Sequence, residues 1–124
     1  MDITPQLSKG KQMITGYGAG GFKINGEFVA GSQIIFPDRV LALNAQTMAQ
    51  ITLGILQPIL DVHPVEILLI GTGKTMQTID PALRAALKAQ RIACDGMDTG
   101  AACRTYNILL AEGRRAAAAL MLPR

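Results

Sequence analysis

Tryptophan is absent from this chain, and Phe and Tyr together make up only 4% of it. A core must therefore come from Leu, Ile, Val, Met and Ala. Stacking platforms for single-stranded nucleic acid are correspondingly scarce. Histidine occurs once, at His63, and cysteine twice, at Cys94 and Cys103. That set matches no zinc-ligand spacing, and nothing in it implies a cofactor. Charge of one sign is not concentrated either. Twelve Lys and Arg against nine Asp and Glu leave a net +3, with no dense basic block, so nucleic acid is not the expected partner. No run approaches the roughly 18 apolar residues of a membrane helix, and no membrane insertion is expected. The first residues, MDITPQLSKG, hold neither an apolar signal core nor an Arg-rich presequence. The expected setting is cytoplasmic, with both thiols reduced.

What is present is enough apolar material for a core: 49% of 124 residues, against 17% charged. This length fits one ordinary domain. Residues 1–12 read as a flexible tail and 13–124 as a single α/β domain. From Met13 the text turns glycine-rich and β-branched. Asn25-Gly26 lies between Phe22-Lys23-Ile24 and Glu27-Phe28-Val29, the signature of a two-residue hairpin. Phe22 and Ile24 are expected on one face, with Phe28 facing them. Gln33–Phe36 reads as a strand ending at Pro37-Asp38, resumed over Val40–Leu43.

Thr47 with Gln50 fits a capping box, and Thr52 is an alternative cap for a helix within about 52–61. Val65–Ile70, apolar but for Glu66, reads as a strand buried on both faces. Asp80-Pro81 starts a helix with Leu83 and Leu87 on one side and Arg84 and Lys88 on the other. Arg91–Cys94 reads as a strand. Thr99 is the expected cap of a helix from about Gly100 to Glu112, ending at Gly113. Ala116–Leu122 is the last strand. The alternation predicts a mixed sheet with at least one parallel pair and helices packed against it.

The stretch LLIGTGKT, Leu68–Thr75, invites comparison with a phosphate-binding loop. That loop requires G-x-x-x-x-G-K-[ST] leading directly into a helix. The first glycine would fall at Leu68, inside the apolar run, and Met76–Ile79 separates Lys74-Thr75 from the helix start. Asp95 and Asp98 are the only candidates for a magnesium-binding Asp, and Gly96 interrupts them. Nucleotide hydrolysis is not expected. Gly71 and Gly73 instead let the chain leave a buried strand end. Such ends commonly open into ligand crevices, where Lys74 would favour a small anion.

The segment MDTGAACRTYN, Met97–Asn107, is the polar centre of an otherwise aliphatic half. Cys103 near a helix start is open to two readings, a lowered thiol pKa or a small buried residue. Asp98 and Arg104 can pair across the helix start, or Arg104 can meet an anion. Tyr106 and Asn107 are expected to bond the preceding loop. His63 reads as a solvated loop residue. In FPDRV, Asp38 stabilises a turn and Arg39 is a candidate partner contact. No nucleophile, base and oxyanion donor assemble into a catalytic set.

Taken together, GYGAGGFKING, FPDRV, ILLIGTG and MDTGAACRTYNILLAEGRRAAAAL, in that order over about residues 14–122, resemble the family of the mitochondrial complex I assembly factor three. The resemblance implies a three-layer α/β domain, a central mixed sheet flanked by helices with an added N-terminal β-layer. It implies a non-enzymatic interaction or assembly role, with respiratory-complex subunits as partners. It also associates a crevice with Gly71, Thr72, Gly73, Asp98, Thr99, Thr105, Tyr106 and Asn107, to which Lys74 and Arg104 are neighbours. Arg39 and Arg104 are the expected partner contacts. The competing expectation is a small-anion binder, or an enzyme, using that same crevice.

Overall fold

The computed structural model describes residues 11–62 and 64–123. The tail reading for 1–10 and the loop reading for His63 lie outside the described residues. Among the described residues, eight strands and three helices follow in the order β1 (Ile14–Gly18), β2 (Gly21–Ile24), β3 (Glu27–Ala30), β4 (Gln33–Ile35), β5 (Val40–Ala42), α1 (Gln57–Val62), β6 (Ile67–Gly71), α2 (Pro81–Ala89), β7 (Ala93–Met97), α3 (Thr99–Ala111) and β8 (Ala116–Leu120). A short 3₁₀ turn at Met48–Gln50 lies between β5 and α1.

β1, β2 and β3 form an antiparallel three-stranded sheet. The other five strands form a mixed sheet in the order β5-β4-β8-β6-β7. β6 runs parallel to both β8 and β7, whereas β4 is antiparallel to β8 and β5. Alternate side chains point to opposite faces of a sheet, and each face of the larger one has its own core. Ile34, Leu68, Ile70, Ala117 and Ala119 pack with Ile59 of α1 and with Leu83 and Leu87 of α2. Ile35, Leu69, Ala116, Ala118 and Leu120 pack with Ala102, Cys103, Tyr106 and Leu110 of α3. Phe22 and Ile24 of the smaller sheet complete that second core. The result is the expected mixed sheet with helices on both faces and an added β-layer beside α3.

β8 is the unusual element. All five of its residues, AAAAL, are fully buried. Alanine favours helices over strands, but here small side chains between β4 and β6 leave room for α3 to approach.

Several local expectations are corrected. The Asn25-Gly26 turn pairs Ile24 with Glu27 and Lys23 with Phe28. Phe28 therefore shares the outer face with Lys23, and its ring lies over Gly21. Val29 takes the place opposite Phe22. Thr47 makes no side-chain cap; the Gln50 side chain accepts instead from the Gln46 N–H. Thr52 accepts from the Ile55 N–H, and α1 begins only at Gln57, which puts Pro58 in the first turn, where it is tolerated. The strand expected at Arg91–Cys94 starts later, because Arg91 occupies a left-handed turn position, φ +62°.

Candidate functional site

The carboxyl ends of β6 and β8 lie side by side, Gly71 opposite Leu120. The chain leaves β6 through Thr72-Gly73 and is tied down at once. The Thr72 N–H donates to the Met97 carbonyl at 2.8 Å. The Thr72 hydroxyl donates to the Thr75 carbonyl at 2.7 Å and accepts from the Gln77 N–H at 3.0 Å. Gly73 N–H donates to the Thr99 hydroxyl at 2.9 Å, and that hydroxyl donates to the Met121 carbonyl at 2.7 Å. Thr99 N–H returns to the Gly73 carbonyl. Thr72 and Thr99 are buried. One threonine hydroxyl thus joins the β6 loop, the α3 start and the end of β8.

This network explains why Thr99 is not the helix cap. Its hydroxyl is committed to Gly73 and Met121, so Asp98 caps α3 by accepting from Ala101 N–H at 2.9 Å. The close approach also accounts for Gly71. A Cβ there would stand 2.9 Å from Leu120 Cδ2 and 3.1 Å from Thr99 Cα, which forces displacement.

Outside this knot, the loop borders a cleft of about 370 Å³, lined among others by Gln46, Met48, Gly73, Lys74, Gln77 and Leu122. Lys74 is exposed. Of the residues expected at the crevice, Thr72, Gly73 and Lys74 line this cleft, whereas Gly71, Asp98, Thr99, Arg104, Thr105, Tyr106 and Asn107 do not. Asn107 reaches the smaller sheet instead of the preceding loop. Its amide donates to the Ile14 carbonyl at 2.7 Å and accepts from the Ile14 N–H at 2.9 Å, as a neighbouring strand would. Tyr106 is fully buried, and its hydroxyl has no hydrogen-bond partner among the described residues. Burial, with a smaller contribution from the Asp38 charge, pushes that phenol well above its usual range. Thr105 is half-buried.

Asp98 and Arg104 are not paired: the carboxylate is used as the cap, and no hydrogen bond or ion pair joins Arg104 to another described residue. Arg39 is remote from the cleft. Ile35 lies opposite Ala118 and Val40, so the β4–β5 turn projects beyond the start of β8, whereas the cleft lies beyond its end. There Arg39 contacts the neighbouring Asp38 at 3.4 Å, with both side chains exposed.

The two thiols are free, buried and on opposite faces of the sheet. Burial pushes Cys94 up to about 11 and Cys103 up to about 12, only partly offset by Arg84 and Arg104 respectively. Of the two readings for Cys103, the small buried residue is the one the structure supports. Among the described residues, no three His, Cys, Asp or Glu side chains group as a metal site. No helix among them is long and apolar enough to cross a membrane.

Comparison with known proteins adds to this geometry. The chain is 35% identical over 108 residues to the Xenopus tropicalis protein named NADH dehydrogenase [ubiquinone] 1 alpha subcomplex assembly factor 3. The match covers 86% of this chain but only 59% of that relative. The fold is similar to the crystal structure of a Bordetella parapertussis protein, with TM-score 0.85 and 35% identity over 94% of this chain and 99% of that one. It is also similar to the solution structure of a Bordetella pertussis Mth938-like domain, with TM-score 0.82 and 29% identity over 99% and 92% of the two chains. The family model described as protein of unknown function (DUF498/DUF598) matches residues 14–121, nearly the whole described fold, and the chain belongs to that family.

Proposed function

We propose that this chain is a non-catalytic interaction protein that holds partners during assembly of a respiratory complex. The observation that carries the reading is its similarity, across most of its length, to relatives named as assembly factors of NADH dehydrogenase. The chemistry of the interior supports it. The Thr72 and Thr99 hydroxyls already have partners within the chain, and the two thiols are buried and held protonated. Arg39, in the β4–β5 turn, and Arg104, on α3, are the proposed contacts, and both are exposed.

The test is affinity capture from the native cell with wild type, Arg39→Glu and Arg104→Glu. Respiratory-complex subunits should come down with wild type and fall with at least one variant. Failure to recover any such subunit with wild type would overturn the reading.

A second reading rests on the cleft of about 370 Å³ beside Lys74, a volume within the range of small-ligand sites. It holds that the cleft takes a small anion. Native mass spectrometry of the purified protein should then show a retained mass that Lys74→Glu removes.

A further inference from the structure

Three side chains outside the cleft lie together where α3 meets β1. Gly100, Arg104 and Ile108 are spaced by four, so they follow one line along α3. A Cβ at Gly100 would overlap the Tyr17 hydroxyl and come within 3.4 Å of Arg104 Nη1. Tyr17 and the guanidinium therefore meet over the same glycine. Ile108 is the next turn of that line. Tyr17 is 47% exposed and Ile108 58%, two of the four large apolar side chains left in solvent among the described residues. Another, Phe28, already covers Gly21. Arg104 is exposed and has no partner among the described residues, whereas the exposed Arg114 and Arg115 both pair with Glu66.

We propose that Tyr17, Arg104 and Ile108 form a docking stripe for a partner-protein segment that presents a carboxylate beside an apolar side chain. This rests on the protein-binding reading above and assigns its surface. Tyrosine and arginine dominate binding energy when they are desolvated at an interface centre, and an unpaired Arg between apolar neighbours selects an acidic complement. A second copy is disfavoured as the occupant. An isologous contact sets the same patch against itself, which would oppose Arg104 to Arg104. A phosphate backbone is disfavoured too, because the stripe holds one cation and Glu112 lies one turn beyond Ile108.

The test uses the full chain in its native cell, with the photo-crosslinking residue benzoylphenylalanine at position 17 or 108, and at exposed position 85 on α2 as control. Positions 17 and 108 should cross-link to a partner and position 85 should not. Arg104→Glu should lower the yield at least about tenfold, with circular dichroism unchanged because the side chain is exposed. Mass spectrometry should place an Asp or Glu of the partner next to the cross-link, and changing that residue to Lys should restore the yield with Arg104→Glu. A yield unaffected by Arg104→Glu, or a cross-link only to another copy of this chain, would overturn the proposal. A partner captured by wild type without cross-links at 17 or 108 would overturn the stripe alone. No captured partner at all would overturn the protein-binding reading with it.

Discussion

The glycine loop after β6 and the seam between α3 and β1 both draw on the polar segment Asp98–Asn107, and they use it in opposite ways. At the loop, every named hydroxyl and amide is turned inward. Thr99 alone serves three elements, and its residue is fully buried. At the seam, Asn107 holds β1 by two hydrogen bonds, but Tyr17, Arg104 and Ile108 stay in solvent. A polar motif is therefore not one site. Its first residues complete a structural knot, and its line Arg104 and Ile108 along α3 stays exposed.

Substitutions can break this contrast at defined points. The largest effect is expected for Thr99→Val, which leaves the Gly73 N–H and the Met121 carbonyl buried without partners. At about 1–3 kcal/mol for each unsatisfied group, urea denaturation should show a loss of about 2–4 kcal/mol, and Thr99→Ser should recover most of it. A loss near zero would mean that water replaces the hydroxyl and that the knot is open.

Asn107→Ala should cost less, about 1–2 kcal/mol, because Asn107 is only half-buried. Its distinguishing sign is faster amide exchange in β1 and β2 with β6 and β8 unchanged. Uniform acceleration would show that the two regions unfold as one.

Stability should also depend on alkaline pH through Cys103. Its folded-state pKa is raised from 9.0 to about 12, so the folded chain holds the proton that the unfolded chain releases. The contribution is fully present below pH about 9 and is lost as pH rises toward 12. Thermal midpoints should fall over that window, and Cys103→Ala should flatten the fall. Cys94, raised to about 11, contributes with the same sign.

The smallest change is expected for Tyr106→Phe. The hydroxyl it removes has no partner among the described residues, so stability should stay within about 1 kcal/mol and shift upward if at all. A larger loss would reveal a solvent partner for the hydroxyl and move Tyr106 to the functional side of the comparison.

The legible part of the fold was the part written in local pattern. Asn25-Gly26 marked its turn, and Asp80-Pro81 marked the start of α2, where the Asp80 carboxylate accepts from Ala82 N–H. The apolar stretch Val65–Ile70 marked β6, which has a strand on either side. The face of Phe28 was misjudged although the turn was right: a two-residue turn opposes Phe28 to Lys23, and strict alternation then sends it outward. The cap of α3 was displaced by one residue because Thr99 and Asp98 are both good caps. Only the arrival of Gly73 and Met121 beside Thr99 decides between them.

The candidate site was less legible for the same reason. The residues Gly71–Lys74 and Asp98–Asn107 were visible as unusual text, but their spacing carries no direction. Sequence alone determined the two periodicities, the turn chemistry, the aliphatic core and the absence of a phosphate-loop spacing, since each depends on residues a few positions apart. Tertiary structure decided which polar groups are consumed and which are free. That outcome depends on contacts such as Thr99 with Met121, Asn107 with Ile14 and Tyr17 with Gly100, between residues too far apart along the chain for local pattern to relate them.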